Sequence, residues 1–138
     1  MSIREFRFLD DFPNVLDLWQ RCAPAISLGA SDTPQEIKKK LGRDPDLFLV
    51  LEEGGKILGT VLGGFDGRRG IVYHLAVDPA YRQKGLGQSL MQEVEARLRQ
   101  KGCRKAYLLV VPGNLALDFY LTQGWQPMHE HLLAKELL

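Results

Sequence analysis

The sequence has few cysteines, no excess of charge of either sign and no long apolar run. Its two cysteines, Cys22 and Cys103, lie far apart, and neither has the neighbours that a metal site requires. A disulfide framework and a zinc site are therefore disfavoured, and free thiols are expected. Lysine and arginine total 18 against 17 acidic residues. The resulting net charge of +1 lacks the basic excess of most nucleic-acid-binding proteins, so no nucleic-acid partner is expected.

Signals for export and for membrane insertion are also lacking. The first seven residues include Arg4, Glu5 and Arg7 and no apolar stretch, which is untypical of a signal peptide. No apolar run approaches the roughly 20 residues that cross a bilayer. These absences predict a cytoplasmic protein with no membrane partner. The length of 138 residues, with 45% hydrophobic and 25% charged residues, predicts a single domain over residues 1–138.

Apolar periodicity predicts the element order β-α-α-β-β-β-α-β-α-β. Strands are expected at 3–8, 47–51, 57–65, 71–77, 106–111 and in the last segment, 129–138, and helices at about 11–22, 34–41, 87–100 and 114–122. Hairpins come first, and strand-helix-strand units that require parallel pairing follow. The expected fold class is therefore α/β (α+β), with one mixed β-sheet and helices on both faces.

The strongest chemical signal is the segment 75–90, in which a buried strand ends and a basic loop leads into a long helix. Gly85 and Gly87 remove side chains where the backbone N–H groups of a helix start can approach an anion. Arg82 and Lys84 add positive charge beside them. The segment lacks the Gly-Lys-Ser/Thr ending of a P-loop, and its glycines do not follow the first strand, as those of the dinucleotide fingerprint do. It predicts a phosphate-binding loop, although a bare Gly-x-Gly pair would indicate no more than a helix start.

This loop resembles the coenzyme-binding motif of the GNAT family of N-acetyltransferases. That motif is Arg/Gln-x-x-Gly-x-Gly/Ala after a strand, and residues 82–87 match it. The family's second motif is an Asn followed by a helix that carries a Tyr before a Gly-aromatic pair. Asn114, Leu117, Tyr120 and the pair at 124–125 stand in those places. The length and the Leu-Trp-x-Arg-Cys start of the first helix are most similar to a small bacterial subgroup, the YpeA-like acetyltransferases.

The resemblance implies that the chain binds acetyl-CoA as a cosubstrate, uses no metal, and moves the acetyl group onto an amine. The acceptor would be a small molecule or a protein or peptide α-amine, attacking directly in a ternary complex. The pyrophosphate is expected on the amides from Gln83 to Ser89, and the pantetheine arm along the strand end, where a backbone N–H would polarise the thioester carbonyl. The expected coenzyme contacts are Leu75, Ala76, Val77, Arg82, Gln83, Lys84, Gly85, Leu86, Gly87, Gln88, Ser89, Asn114, Leu117 and Tyr120.

Tyr120 is the expected catalytic residue, as the acid that protonates the departing thiolate. Helical spacing alone would make it a core aromatic. A general base is not assigned, because members of the family often place a carboxylate where this chain has Ile71. The remaining alternatives for the base are Tyr73, His74, Glu52, Glu53 and Glu130.

Two further questions stay open at the level of sequence. A catalytically inactive acyl-CoA-binding sensor or structural module is an alternative to the enzyme. Exposed final strands can pair between chains, so a homodimer is also allowed. The amine acceptor itself has no readable signature in the first helices or in their connecting loop.

Overall fold

The computed structural model describes residues 1–110 and 116–138 as a five-stranded sheet with helices on both faces. In chain order the elements are β1 Ser2–Glu5, α1 Phe8–Arg21, α2 Pro34–Arg43, β2 Phe48–Glu53, β3 Lys56–Phe65, β4 Gly70–Val77, α3 Leu86–Gln100, β5 Ala106–Leu108 and α4 Leu117–Thr122, with short 3-10 turns at Ala30–Asp32 and Pro79–Tyr81. The strands lie in sequence order, antiparallel from β1 to β4 and parallel between β4 and β5. The mixed α/β fold predicted from the sequence is confirmed.

Each face of the sheet carries its own apolar cluster. On one face, α1 packs Leu18 and Trp19 against Phe48 of β2. On the other, α3 packs Leu90 and Val94 against the opposite side chains of the same strands. β2 is covered on both sides, which is why it reads as a continuous apolar run rather than an alternating one.

Two glycines of β3 let α3 approach the sheet closely. A Cβ at Gly59 would lie 2.8 Å from Leu90 Cδ1 and 3.0 Å from the Ala76 carbonyl oxygen. A Cβ at Gly63 would lie 2.9 Å from Val94 Cγ2. Positions 59 and 63 share one face of the strand, so together they form a groove without side chains beneath the helix.

Short-range sequence features set the start of α2 and the turn after β2. The Thr33 hydroxyl accepts the Glu36 backbone N–H at 3.3 Å and caps α2. Gly54 and Gly55 both have positive φ, 58° and 79°, as a two-residue hairpin turn between β2 and β3 requires. These features depend on neighbouring residues alone, which is why they can be predicted from sequence.

The first strand and helix differ from the prediction at their junction. β1 ends at Glu5 rather than at residue 8, and α1 begins at Phe8 rather than at about residue 11. The buried Asp11 carboxylate accepts hydrogen bonds from the Arg4 guanidinium at 2.7 and 3.0 Å and from the Arg7 backbone N–H at 2.7 Å. Burial alone would raise the pKa of Asp11, but these donors outweigh it and the pKa lies below its usual range. The carboxylate thus ties β1 to the first turn of α1.

The last segment does not form the predicted strand. Residues 125–138 are all described and contain no strand, and Leu132, Leu133, Leu137 and Leu138 are exposed. These leucines stand in adjacent pairs, so a strand would place one member of each pair on each face. The neighbouring β5 has only three residues, which offers a short edge for pairing. The apolar content of the segment was therefore a poor indicator of a strand.

Candidate active site

β4 continues beyond its parallel neighbour and leaves an open edge. It pairs with β5 only through Gly70, Ile71 and Val72. Among the described residues, no strand pairs with the same edge from residue 73 to residue 77. That stretch lines a cavity of about 820 Å³ that also contacts the start of α3 and one side of α4. This is the strand end along which the resemblance implies a pantetheine arm.

The loop between β4 and α3 presents a row of backbone amides. Gln83 and Gly85 have positive φ, 62° and 79°, so successive N–H groups converge as in an anion-binding nest. The amides of residues 83–88 are called here the amide cradle, and those of residues 85–88 donate to no acceptor in the described part of the chain. The Ser89 amide is already used, since it donates to the Gly85 carbonyl at 3.1 Å. The cradle therefore ends one residue earlier than the sequence indicated.

Two basic side chains stand beside the amide cradle. The Arg82 Nε donates to the Val77 carbonyl at 3.2 Å, which turns the guanidinium along the end of β4. The Lys84 ammonium lies 5.4 Å from the centroid of the Tyr81 ring. Neither forms an ion pair with a carboxylate of the described residues, so both charges contribute to a positive potential at the cradle.

Gly87 lies where three elements meet. A Cβ at this position would be 3.5 Å from Phe119 Cζ and 3.7 Å from Val77 Cγ2. The helix start can therefore lie close to β4 and to α4 without a side chain between them. Phe119 also lines the cavity at this point.

Tyr120 projects from α4 into the same cavity and is 7% exposed. Burial raises the pKa of Tyr120 to about 12, so its hydroxyl stays protonated at physiological pH. That hydroxyl has no hydrogen-bond partner among the described residues. The side chain is thus both part of the core and a donor without an acceptor at the cavity wall.

The cavity collects most of the residues expected to contact a coenzyme. Those that line it are Leu75, Ala76, Val77, Arg82, Gln83, Gly85, Leu86, Gly87, Gln88 and Tyr120. Leu117 instead lines a neighbouring hollow between β5 and the last segment, and Lys84 and Ser89 stand outside both. Asn114 lies outside the described residues.

The opposite wall of the cavity comes from a region that sequence reasoning did not connect with it. Residues 22–27, which follow α1, contribute four side chains, and Cys22 places its Sγ 3.6 Å from the Val77 carbonyl. This cysteine therefore stands at the site, although its spacing in the sequence gave no sign of it.

The candidates for a general base separate clearly in the structure. Glu52 is ion-paired with Arg4, and Glu130 lines the neighbouring hollow. Only Tyr73 and His74 line the cavity. Burial and the nearby Asp32 and Asp44 charges raise the pKa of Tyr73 to about 12. Its hydroxyl is therefore protonated at neutral pH and cannot serve as a base. His74 lies 2.8 Å from a carboxylate oxygen of Asp32, a residue that no sequence pattern had marked.

Residues 1–110 and 116–138 contain neither a membrane-spanning helix nor a group of side chains placed to hold a metal ion. No helix there combines the length and the apolar character of a membrane span. No group of three or more His, Cys, Asp or Glu side chains is arranged to hold a metal ion.

Comparison with known proteins gives matches across most of the chain. Residues 12–125 match the model of the acetyltransferase (GNAT) family. An acetyltransferase of Pectobacterium atrosepticum is 44% identical over 139 residues, covering 100% of this chain and 96% of that protein. An acetyltransferase of Photorhabdus laumondii is 44% identical over 131 residues, covering 95% of this chain and 89% of that protein.

Solved structures with low sequence identity share the fold. An N-acetyltransferase of Thermoplasma acidophilum, determined in complex with coenzyme A, superposes with a TM-score of 0.81 at 17% identity, covering 94% of this chain and 92% of that one. Glucosamine-6-phosphate N-acetyltransferase from Arabidopsis thaliana superposes with a TM-score of 0.76 at 19% identity, covering 97% of both chains.

Proposed function

Because the chain belongs to the GNAT family of acetyltransferases, we propose that it binds acetyl-CoA beside β4 and transfers the acetyl group directly to an amine. The observation that carries this proposal is that one cavity contains the amide cradle, the open edge of β4 and Tyr120. The three features match the three parts of the cosubstrate, which are a pyrophosphate, an amide-bearing arm and a thioester.

The residues present fit the cosubstrate. Bare N–H groups at the start of a 15-residue helix carry partial positive charge and favour a phosphate group. Arg82 and Lys84 supply further positive charge. The edge of β4 from Leu75 to Val77 can exchange hydrogen bonds with the amides of an extended arm, as an added strand would.

Bound in this cavity, acetyl-CoA would supply an electrophilic thioester carbonyl and a thiolate leaving group. The backbone N–H near Leu75 or Ala76 would polarise the carbonyl. Tyr120 would deliver its proton towards the departing sulfur. We favour direct attack over an acetyl-cysteine intermediate, because the Cys22 Sγ is directed to the Val77 carbonyl and lies 3.7 Å from Arg82 Nη2, at the cradle end of the cavity.

Acetyl-CoA should raise the melting temperature of the protein. At about a hundred times its dissociation constant, a ligand adds roughly 2.7 kcal/mol, or about 8–12 °C for a chain of this size. Gly87→Val should remove most of that shift, because its methyl groups would occupy the space between β4 and Phe119 and separate the cradle amides from the ligand. Differential scanning fluorimetry with millimolar acetyl-CoA measures both.

Gly42→Ala is the matched control for this measurement, since nothing lies within 4 Å of a Cβ at that site. It should keep the full shift. A folded wild type that shows no shift would overturn the assignment of the cosubstrate. A shift without thiol release in a broad screen of amines would instead favour the inactive acyl-CoA-binding module.

The acceptor should be an α-amine rather than a lysine side chain. Only a neutral amine attacks, and at pH 7 a lysine with a pKa near 10.4 is neutral about once in 2,500 molecules, against roughly one in ten for an α-amine. Ile71 stands where members of the family often carry a carboxylate, so no acidic side chain at that position offsets this difference. Thiol release with amino acids, short peptides and Nα-blocked lysine peptides compares the two classes. Faster turnover on the lysine peptides at neutral pH would contradict the prediction.

A further inference from the structure

His74 adopts a backbone conformation that is rare for a residue with a side chain. Its φ is 50°, within β4, at a point where the pairing with β3 shifts register between Thr60 and Leu62. Such a conformation is strained for a residue with a side chain and persists only where the surroundings enforce it. Here the Thr60 hydroxyl donates to the His74 carbonyl at 3.0 Å and fixes the irregular backbone.

The imidazole ring of His74 is held from two further sides. The Trp19 indole packs edge-on against it, with ring centroids 4.8 Å apart, and its Nε1 donates to the Thr60 hydroxyl at 2.9 Å. Asp32 reaches the ring from the 3-10 turn before α2, with Oδ1 2.8 Å from Nε2. The side chains of His74 and Asp32 are 16% and 12% exposed. The ring therefore has one defined orientation.

This contact assigns the protonation of the neutral ring. An ionised carboxylate can only accept a hydrogen bond, so His74 Nε2 carries the proton and Nδ1 carries the lone pair. Within the described residues Nδ1 has no hydrogen-bond partner, and His74 lines the cavity that holds Tyr120. A basic nitrogen with an oriented ring, a carboxylate behind it and a cavity in front of it has the arrangement of a general base.

We propose that His74 is the general base of this acetyltransferase and that Asp32 is its positioning residue. This proposal rests on the proposed function and adds the group that receives the acceptor's proton. The amine nitrogen forms a bond to the acetyl carbon as its N–H proton passes to His74 Nδ1. The C–S bond breaks, its electron pair stays on sulfur, and Tyr120 protonates the thiolate. The imidazolium, stabilised by Asp32, then returns its proton through water, and Tyr120 regains one in the same way.

The charged surroundings of His74 are simple. From the turn before α2 it faces Asp32, and from α1 it faces the uncharged indole of Trp19. On β4 itself, the centroid of the Tyr73 ring lies 5.3 Å from that of the His74 ring. The Lys40 ammonium lies 6.0 Å from the centroid of the Tyr73 ring. Across the cavity stand Cys22, Tyr120 and the Arg82 guanidinium. Asp32 is thus the carboxylate in direct contact with the ring.

The test compares His74→Asn with the wild type. Asparagine tolerates positive φ and places a polar amide where the near side of the ring stood, but it offers no basic nitrogen. With a saturating α-amine at pH 7, kcat should fall about 10²-fold. The acetyl-CoA shift in melting temperature should be unchanged. The loss should shrink at high pH, because hydroxide can then take the attacking amine's N–H proton in place of the imidazole. His129→Asn, which changes an exposed histidine outside the cavity, should match the wild type.

Asp32→Asn tests the positioning role. The amide can still accept from Nε2 but carries no charge, so kcat should fall about tenfold. The loss should fall on kcat, while KM and the acetyl-CoA shift in melting temperature stay near those of the wild type, because Asp32 acts only through the ring of His74. A merely structural role would lower stability without this selective loss of kcat. Nitrogen-15 NMR of the ring should show the proton on Nε2 in the neutral form.

Each outcome decides the proposal. An active wild type whose His74→Asn variant turns over at the same rate would overturn the base and leave the acetyltransferase intact. A neutral ring protonated on Nδ1 would overturn it independently of activity. A wild type that binds acetyl-CoA and acetylates no amine would remove the proposed function and the base with it.

Discussion

Tyr120→Phe should lower kcat about 10²-fold while the melting temperature and the acetyl-CoA affinity stay near those of the wild type. The substitution keeps the ring, which packs in the apolar cluster on the α3 face of the sheet. It removes only the hydroxyl, which has no hydrogen-bond partner among the described residues. If Tyr120 were only a core aromatic, the variant would keep its activity.

The expected size of the fall in kcat follows from the acidities of the Tyr120 phenol and of the thiol that leaves. General acid catalysis contributes about 10²–10⁴-fold, and a thiolate with a conjugate pKa near 8.5 already departs fairly easily. A phenol whose pKa is raised to about 12 is a weaker acid than the thiol it must form, so its position has to supply most of the effect. The lower end of the range is therefore expected. The same raised pKa keeps the hydroxyl protonated, so kcat should not fall through ionisation of Tyr120 up to about pH 11.

Tyr107→Phe is the matched control, since it removes a tyrosine hydroxyl from β5 outside the cavity. Both variants are measured with a saturating acceptor under conditions where the chemical step limits the rate. Turnover of Tyr120→Phe close to that of the wild type would exclude Tyr120 from the mechanism and leave solvent as the source of the proton.

Gly59→Ala should destabilise the protein by about 2–3 kcal/mol, at the upper end for overpacking. The added methyl group would lie 2.8 Å from Leu90 Cδ1, which can rotate away, and 3.0 Å from the Ala76 carbonyl, which cannot. Because that carbonyl belongs to β4, relief of the clash requires the sheet to shift.

Gly42→Ala adds the same methyl group but should raise the free energy of unfolding rather than lower it. Its Cβ meets nothing within 4 Å, and alanine is favoured over glycine in a helix by roughly 0.5–1 kcal/mol. Urea denaturation with midpoint and slope fitted separately measures both variants. Equal stability of Gly59→Ala and the wild type would mean that α3 lies farther from β3 than the structure shows.

The features that could be predicted from sequence are those set by neighbouring residues. Thr33 with Glu36, the Gly54–Gly55 turn and the glycines before α3 all act within a few positions of one another. The apolar periodicity of α1 and α3 predicted two helices that pack on the sheet. Together with the strand-helix-strand order, it predicted a mixed sheet with helices on both faces. The role of residues 82–87 in coenzyme binding was predicted from the resemblance to a family. Periodicity alone does not indicate that role.

The features that could not be predicted depend on distant contacts. Asp32 reaches His74 across 42 positions, and His74 has a positive φ that no residue pattern indicates. Cys22 reaches the site because the chain after α1 turns back over the end of β4. The last segment failed as a strand for the opposite reason, since its leucines have the right composition but lack the alternation and the partner edge.

The open edge of β4 also bears on which molecules the protein admits. A free strand edge normally invites another polypeptide, with the attendant risk of aggregation. Here the edge from residue 73 to residue 77 faces a cavity whose other walls include Leu109 and Phe119. An incoming strand would need to sit about 4.8 Å from β4 and would bring side chains on both of its faces. A narrow chain with amide groups brings no such side chains, so the walls of the cavity favour it over a polypeptide strand at this edge.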